Sequence, residues 1–594
     1  MTLGRVLLGW LLVTVIGCLW VGHRARITPD APPSQPLSRW AMGALRASAA
    51  GQPAPPAPPA DHIASEPVVV IAWWEGRPRV RHRGSSSVVE TVRAAADTFA
   101  QGPGLSARSG GAPVHYTITV PYGRAPLVTG IPYVSTLGIV PLLEGAAARV
   151  GAHEAVLTPH ELWQGRYIDR AVVTPIPDLS FGMDMPRLAK ALSGRLVERG
   201  AERIDPSTLL AGGHIERLAA HTLTEQDYPG DGEVTEESLA LAARQAAQFL
   251  LRHMRRDGAY TYRYDGRRNR RLRGYNLPRH AGTTFFLAQA GHVLDMPEAR
   301  RGALRALKWI EKKHVVECGD TGRCVAQGGK AVMGGTALTA LAAAELLRGG
   351  DVPWVRELLV SLTAHIRAMQ RSDGELMHEY DVADARPIDV QHMYYSGEAA
   401  FALTRTHDVL GDERDLQTVQ RLMGHLTGSA WSFFGSRYFY GEEHWTCQAA
   451  AAAADKMDTG GALDFCLRWL GYQRALQYRS GETPWEAEGA IGAGPVLLPR
   501  VTTSASRVEA GVPIYQLALA RGDDVDELRL QMVRSLRLLL RVRWNPGPVH
   551  MMRAPQAALG GMPSTQAGFV ARNDFVQHAG SAMLAWLQHL RSTR

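Results

Sequence analysis

Six helix-length segments of small apolar residues recur after residue 230, and each follows an amphipathic segment with a charged face. The apolar segments begin near His280, Gly334, Ser396, His444, Arg507 and His578. The amphipathic segments span 235–256, 298–314, 352–370, 412–428, 460–478 and 524–542. A helix that is apolar on all sides must be buried, whereas a helix with one charged face lies at the surface. The spacing is that of two-helix repeats. It predicts a mainly α fold, an (α/α)6 toroid of outer–inner helix hairpins over residues 234–594.

Two of the repeats are similar to each other in sequence. The segment 255–288 aligns with 371–403 almost without gaps, and the alignment sets Asp257 on Asp373 and Phe285 on Phe401. This similarity indicates an internal duplication.

The connections between the predicted helices differ in length. Those from an inner helix to the next outer helix are short and turn-like, as in LRGGDVPW and ARGDDVDE. Those from an outer to an inner helix run on the order of 15 to 30 residues, and loops of that length in a compact domain are usually functional. The inner helices begin at the same rim, where their free N–H groups favour anionic ligands. We therefore expect a binding cleft at this rim.

The rim collects carboxylates, histidines and aromatic residues, which are the side chains that sugar binding and glycosidic chemistry require. Aromatic rings stack on the apolar faces of sugars, and two carboxyl groups supply an acid and a base or nucleophile. The candidate catalytic residues are Asp265, His280, Glu398, Glu443, His444, Glu509 and Asp574. The candidate substrate-binding residues are Arg268, Arg271, Tyr264, Tyr275, Tyr395, Trp445, Trp485 and His578.

A structural role is the alternative for several of these residues. A histidine at the start of a buried helix is often a capped and satisfied one, which applies to His280 and His578. Glu398 and Glu509 lie within otherwise apolar helices, where a carboxylate is costly unless it is paired or used. The arginine-rich run 267–273 is either a solvated surface or a site that attracts an anionic polymer, such as a uronate-containing, phosphorylated or sulfated glycan.

In its helical architecture, the region 230–594 resembles the six-hairpin toroid proteins. These include glycoside hydrolases, uronate-polymer lyases, sugar 2-epimerases and, more distantly, lanthionine cyclases and terpene cyclases. The zinc-binding pattern of lanthionine cyclases and the Asp-rich motif of terpene cyclases are absent from the sequence, so the resemblance implies carbohydrate chemistry. No cofactor is predicted, and zinc held by His280, His444 and His578 is the alternative.

The first residues predict export. Residues 6–22 form one apolar stretch that suits a signal or a signal anchor over residues 1–22. The segment Val15-Ile16-Gly17-Cys18 resembles a bacterial lipoprotein cleavage box, which implies lipidation of Cys18. The apolar run continues past Cys18, so an uncleaved anchor stays open. In both cases the body is tethered to the membrane of a bacterial cell envelope, in the periplasm or outside the cell.

Three further segments precede the toroid. Residues 23–65 are rich in Pro and Ala and predict an extended tether, because such a composition cannot bury a core. Residues 66–205 carry short alternating β-like runs and helical stretches at 87–100 and 185–199, which predict a smaller α+β domain. The order of its elements resembles AMMECR1-type domains, and no catalytic constellation stands out there. Residues 206–233 predict a linker.

Cysteine usage and charge bear on the compartment and the partner. Cys318 and Cys324 lie close in one loop and predict a disulfide, with two unpaired thiols as the alternative, whereas Cys447 and Cys466 predict core thiols. The net charge of +8 suits anionic envelope polymers or a membrane surface. A nucleic-acid partner is not predicted, because the basic residues are not clustered along one face with base-stacking aromatics.

Two functional hypotheses follow. The first is a membrane-tethered envelope enzyme that binds an anionic glycan in the toroid cleft and cleaves or rearranges it, with hydrolysis favoured over lyase or epimerase chemistry. A hydrolase would use two of the carboxylates, and a lyase or epimerase would use His280 or His444 with a rim tyrosine. The second hypothesis is a non-catalytic toroid that binds a glycan or a partner protein at the envelope.

Overall fold

The structure is a computed structural model, and the chain in it forms two compact units. The first unit holds Met1–Asp227 and Pro546–Gln556, and the second holds Tyr228–Asn545 and Ala557–Arg594. The described residues are 9–12, 14–15, 27–28, 30–58, 60–101, 104–127, 129, 139–140, 142–167, 183–212, 214–224, 233–428, 444–459, 461–479, 487–492, 499–565 and 568–593. Three predicted site residues, Cys18, Glu443 and Trp485, lie outside them.

The first unit is built on a six-stranded sheet in the order β2-β1-β3-β6-β4-β5, with every neighbouring pair antiparallel. Its strands are β1 (Val69–Trp74), β2 (Arg77–Arg83), β3 (His115–Pro126), β4 (Glu144–Val150), β5 (His153–Leu157) and β6 (Ile215–Thr224). Its helices are α1 (Gln35–Ala49), α2 (Val88–Ala100), α3 (Gly104–Arg108), α4 (Pro159–Gln164), α5 (Met185–Glu198) and α6 (Pro206–Ala211). The fold therefore contains the separate β-rich region that the sequence predicts.

Helix α1 lies inside the segment predicted to be an extended tether, and for this part of the segment the prediction is wrong. The Ser34 hydroxyl accepts a hydrogen bond from the N–H of Leu37 and so caps the helix. Leu37, Trp40, Ala41 and Leu45 recur at helical spacing and are buried in the core that α2 also lines. The prolines on both sides hide this short helical period in the average composition.

Strand β6 corrects the predicted linker over 206–233. It pairs with β3 and β4 in the interior of the sheet, so Ile215–Thr224 belongs to the domain core, whereas 225–232 lies outside the described residues. The Nη1 atom of Arg217 in this strand lies 2.9 Å from Oε1 of Glu144 on β4, and both side chains are buried. A buried charge that is paired across two strands gives no alternation of apolar and polar residues, which is why the pattern of the segment does not resemble a strand.

The segment Pro546–Gln556 belongs to the first unit although toroid helices flank it in the sequence. Nε2 of His550 lies 3.3 Å from Nδ1 of His160, and the His550 ring meets Trp73 edge-on at 5.0 Å between centroids. A Cβ atom at Gly76, which has φ +71°, would lie 2.7 Å from the carbonyl carbon of Met552. No feature of the sequence predicted this insertion.

The second unit contains twelve long helices in its described residues. The outer helices are α7 (Glu236–Arg252), α9 (Pro297–His314), α11 (Pro353–Ala368), α13 (Glu413–Thr427), α15 (Ala462–Ala475) and α17 (Asp526–Val542). The inner helices are α8 (Leu277–Val293), α10 (Met333–Arg348), α12 (Tyr395–Leu410), α14 (His444–Ala453), α16 (Val501–Arg521) and α18 (Asn573–Ser592).

The inner helices close a ring. Each packs against the next along the chain, from α8 through α10, α12, α14 and α16 to α18, and α18 packs back against α8. The outer helices pack around this ring. Helix α10 illustrates the inner position, because every residue from Met333 to Leu347 is buried. The fold of this unit is a six-hairpin toroid, as the sequence predicts.

Short strands decorate one rim of the toroid. They are β7 (Arg263–Asp265), β8 (Arg270–Leu272), β9 (Val315–Glu317), β10 (Arg323–Gln327), β11 (Lys330–Val332), β12 (Glu379–Asp381), β13 (Arg386–Ile388) and β14 (Val570–Arg572). They form two sheets, β13-β12-β11-β10-β9 and β14-β7-β8. All of them lie in connections that run from an outer helix to the next inner helix. The inner helices therefore begin at the decorated rim.

Two disulfides lie in the second unit. Cys318 bonds Cys324 within one rim connection, and Cys447 on α14 bonds Cys466 on α15. The second bridge corrects the prediction that Cys447 and Cys466 are core thiols. Their Cα atoms are 5.7 Å apart, which is within the range that a disulfide spans.

Among the helices that the structure describes, none combines the length and the apolar character needed to cross a membrane. Most of residues 1–22 lie outside the described residues. The membrane anchor therefore stays a prediction.

Candidate functional site

Three adjacent inner helices bring His444, Glu509 and His578 together. One ligand atom from each side chain lies within 4.8 Å of the other two. The rings of His444 and His578 meet edge-on, with 5.7 Å between their centroids. The ring centroid of Trp445 lies 6.1 Å from that of His578. The His578 side chain keeps 17% of its surface exposed. The cluster therefore reaches solvent through His578.

Glu509 orients His578. Its Oε2 atom lies 2.6 Å from Nδ1 of His578, and its Oε1 atom accepts a hydrogen bond of 3.2 Å from Nε2 of Gln577. Burial raises the pKa of Glu509, and the neighbouring His578 opposes that rise. A carboxylate bonded to one imidazole nitrogen stabilises the imidazolium form and fixes the orientation of the ring.

His444 is buried without a hydrogen bond. Neither of its ring nitrogens has a hydrogen-bond partner among the described residues. Burial, followed by the charges of His578 and Arg507, holds the pKa of His444 well below its usual value of 6.5. The imidazole is therefore neutral at pH 7, with one nitrogen able to accept a proton.

Glu398 and Tyr395 lie on α12 next to α10. A Cβ atom at Gly334 would lie 2.6 Å from Oε2 of Glu398 and would collide with the Tyr395 ring, so the glycine makes room for both side chains. Burial, and then the charge of Glu398, raises the pKa of Tyr395. The phenol therefore stays protonated at neutral pH.

Asp574, a predicted catalytic carboxylate, is held by two arginines. Its Oδ1 atom lies 2.6 Å from Nε of Arg572, and its Oδ2 atom lies 3.1 Å from Nε of Arg279. The Asp574 side chain is buried. Both carboxylate oxygens of Asp574 are therefore engaged by guanidinium groups.

His280 does not join the cluster, contrary to its predicted catalytic role. Its Nδ1 atom lies 2.6 Å from the Tyr275 hydroxyl, and its Nε2 atom lies 3.0 Å from the carbonyl oxygen of Ala306 on α9. Its ring stacks on Trp309, and burial lowers its pKa to about 3. His280 and Tyr275 therefore connect an inner helix to an outer one.

Tyr264 and Asp265 also have structural positions, which corrects their predicted roles in binding and catalysis. Tyr264 is buried, donates a hydrogen bond of 2.7 Å to Oδ1 of Asn269, and packs against His253. Burial raises its pKa to about 12. Oδ1 of Asp265 accepts a hydrogen bond of 3.1 Å from the N–H of Arg268 and closes the turn of the β7–β8 hairpin.

The predicted zinc ligands do not converge as a set, because Glu509 takes the place of His280 beside His444 and His578. Two imidazoles and a carboxylate are donor types that can hold a metal ion. In this structure Glu509 and His578 bond each other, and the charge of Arg507 acts on His444.

The pattern of the sequence did not single out Gln577, Arg279 or Arg572, which orient Glu509 and Asp574. Arg279 and Gln577 each lie one residue from a predicted site residue at the start of an inner helix. A polar side chain in the first turns of an apolar helix is the signal that could have identified them.

No protein-family model matches the chain, and no curated protein matches it in sequence. Several solved structures are similar to part of the chain, and three of them are as follows. A D-mannose isomerase is 11% identical, with 61% of this chain and 100% of that chain covered and a TM-score of 0.48. A cellobiose 2-epimerase from Bacillus thermoamylovorans is 10% identical, with 59% of this chain and 100% of that chain covered and a TM-score of 0.45. An unsaturated glucuronyl hydrolase specific for heparin is 9% identical, with 60% of this chain and 99% of that chain covered and a TM-score of 0.44.

All three are, by name, enzymes that act on carbohydrates. At these identities and TM-scores the likeness carries no conclusion about activity. The toroid fold itself rests on the helix contacts within this chain.

Proposed function

We propose that the toroid is a carbohydrate-active enzyme that rearranges or cleaves a glycan by histidine acid–base chemistry. The observation that carries this proposal is the pair of imidazoles whose ring centroids are 5.7 Å apart. One is neutral and has no hydrogen-bond partner among the described residues, and the other is bonded to a buried carboxylate. His444 accepts a proton from the substrate, and His578, oriented by Glu509, donates one.

This arrangement favours proton transfer at carbon over glycosidic hydrolysis by two carboxylates. Hydrolysis requires one carboxyl group that is free to donate a proton and a second that is free to attack or activate water. Asp574 is paired with two arginines, Glu509 is bonded to His578, and Asp265 closes a turn. Beside these three carboxylates, the neutral imidazole of His444 is the base on which the proposal rests. Abstraction of a proton next to a carbonyl or carboxylate leads to an epimer, to a ketose or, with loss of a leaving group, to an unsaturated sugar.

We also propose that the glycan is anionic and that the enzyme acts at a bacterial cell envelope. The body is tethered through residues 1–22 to the membrane of a bacterial envelope, lipidated on Cys18 or held by an uncleaved anchor. Two disulfides support an oxidising compartment, because disulfides persist outside the cytoplasm. Fractionation of cells that express the full chain, with Cys18→Ser as the comparison, tests the anchor. Release of both proteins with the soluble fraction would contradict it.

The activity is tested by incubating the purified chain with reducing sugars and with neutral and uronate-containing polysaccharides. Chromatography detects a ketose or epimer, ultraviolet absorbance detects an unsaturated uronate, and a reducing-end assay detects cleavage. An epimer, a ketose or an unsaturated product supports the proposal. New reducing ends without unsaturation would mean hydrolysis by carboxylates, and binding without any product would mean a non-catalytic toroid.

A further inference from the structure

A strongly basic hairpin lies on the decorated rim. Strands β7 and β8 with their flanking residues form the segment 263–273, here called the arginine hairpin, which holds six arginines and one aspartate. Its exposed arginines are Arg268, Arg270, Arg271 and Arg273. Oδ2 of Asp265 lies 3.9 Å from Nη1 of Arg268. Across the described part of the chain, no acidic side chain forms an ion pair with Arg270, Arg271 or Arg273.

The duplicated hairpin shows that the fold does not require this charge. Strands β12 and β13 form a hairpin in the same register, with Asp381 opposite Arg386 as Asp265 is opposite Arg270. That second hairpin, 379–389, holds four acidic residues and one arginine. Its charges are matched locally, as in the ion pairs of Arg386 with Asp384 at 3.3 Å and of Glu379 with Lys330 at 3.1 Å. The same backbone therefore forms with the opposite charge, so a folding role does not account for the exposed arginines.

The position of the arginine hairpin links it to the candidate site. Strand β8 is the edge of the sheet β14-β7-β8. Strand β14 ends at Arg572, and the next residue begins α18, the inner helix that carries His578. A polymer that lies along the edge strand is thus held on the same sheet that leads into the cluster.

We propose that the arginine hairpin binds an acidic polysaccharide, a chain that carries carboxylate or sulfate groups. A guanidinium forms two parallel hydrogen bonds to either group, and successive side chains of a strand point to opposite faces, so the edge presents arginines on both faces. A nucleic acid is the less suitable partner, because the hairpin lacks exposed aromatic rings on which bases stack: its one aromatic residue, Tyr264, is buried. The inference rests on the proposed function for the class of ligand, and its test measures binding and not turnover.

The test compares two triple variants with the same change in net charge. One is Arg270→Glu, Arg271→Glu and Arg273→Glu in the hairpin. The control is Arg301→Glu, Arg529→Glu and Arg537→Glu, at exposed positions on outer helices. Full-length proteins are titrated with polygalacturonate, a sulfated glycosaminoglycan and neutral dextran at several salt concentrations. Circular dichroism and thermal midpoints check folding, and Arg271→Gln serves if the hairpin triple does not fold.

We expect the hairpin triple to bind both acidic polysaccharides about tenfold or more weakly, because it loses three guanidinium groups that form charge-assisted hydrogen bonds. The control triple should stay close to the unmodified protein. Dextran should not bind through the hairpin. Equal losses in the two triples would overturn the proposal in favour of a general electrostatic field. Tighter binding to vesicles of anionic lipid or to single-stranded DNA would overturn it in favour of a membrane or a nucleic acid. Because turnover is not measured, failure of the proposed chemistry leaves this result unaffected.

Discussion

His578 and Glu509 are joined through Nδ1 and Oε2 at 2.6 Å, across two neighbouring inner helices of the toroid. A buried carboxylate is costly unless it is paired, and this pairing gives Glu509 a partner while it fixes the orientation of the imidazole. The pair therefore links the charge and orientation of the imidazole to the carboxylate of Glu509.

Replacing Glu509 with Gln tests this link. The amide keeps the shape of the side chain but cannot stabilise a charged imidazole, so we expect turnover to fall about 100-fold or more. The thermal midpoint should change little, because the variant no longer buries a carboxylate. Glu345→Gln is the matched control, since Glu345 is a buried glutamate near the C-terminal end of an inner helix, paired with Arg348 at 3.1 Å. Full activity of Glu509→Gln would show that the carboxylate is only structural.

The crowding at Gly334 gives a second prediction. Gly334→Ala brings a Cβ atom within 2.6 Å of Glu398 Oε2 and into the Tyr395 ring, so both side chains, or helix α12 that carries them, must move. We expect a lower thermal midpoint and a loss of activity. At Gly335, the nearest atom to a new Cβ is Val325 Cγ1 at 3.5 Å, which is an ordinary contact. Gly335→Ala should therefore be tolerated, and equal effects of the two substitutions would contradict the packing described here.

The toroid should lose stability as the pH falls from 6.5 toward 4. Burial lowers the pKa of His365 and of His378 from 6.5 to about 4, so in this range the unfolded chain binds protons that the folded chain does not. Stability then falls with decreasing pH, by roughly 1.4 kcal/mol per pH unit for each histidine. Urea unfolding at pH 7, 6 and 5 measures the slope. His365→Asn should make it shallower, and an unchanged slope would contradict this account.

The Cys447–Cys466 disulfide joins α14, which carries His444, to α15 across a separation of 19 residues. Closing a loop of this size stabilises a protein by about 3 kcal/mol in the chain-entropy model. We expect Cys447→Ala with Cys466→Ala to lower the thermal midpoint and to reduce activity through movement of α14. Calorimetry with and without a reductant provides the measurement. A reductant that leaves the midpoint of the unmodified protein unchanged, although the thiols are shown to be reduced, would argue against this role.

The toroid could be predicted from the sequence because it depends on helix periodicity, which each segment carries by itself. Inner helices such as α10 are apolar throughout, and the outer helices carry charge on one face. The helix at Gln35–Ala49 and the strand at Ile215–Thr224 were missed for local reasons. Prolines flank the first, and a buried ion pair interrupts the pattern of the second.

The candidate site could be predicted only in part. His444, Glu509 and His578 were identified as polar residues on apolar helices, which is a property of the sequence. His280 contacts the carbonyl oxygen of Ala306, whereas His578 contacts Glu509. These contacts depend on how the helices pack against each other, which the sequence of one segment does not determine. The disulfide between Cys447 and Cys466 was missed for the same reason.

The central claim is that His444 and His578 transfer protons to and from a carbon atom of a sugar. The most direct measurement incubates the full chain with reducing sugars in D₂O and follows the proton on the carbon next to the carbonyl by NMR. We predict exchange of this proton for deuterium, and a loss of about 100-fold or more in His444→Gln and in His578→Gln. His292→Gln, near the C-terminal end of an inner helix, should keep the full rate. Glycosidic cleavage without exchange, or exchange that both variants retain, would contradict the claim.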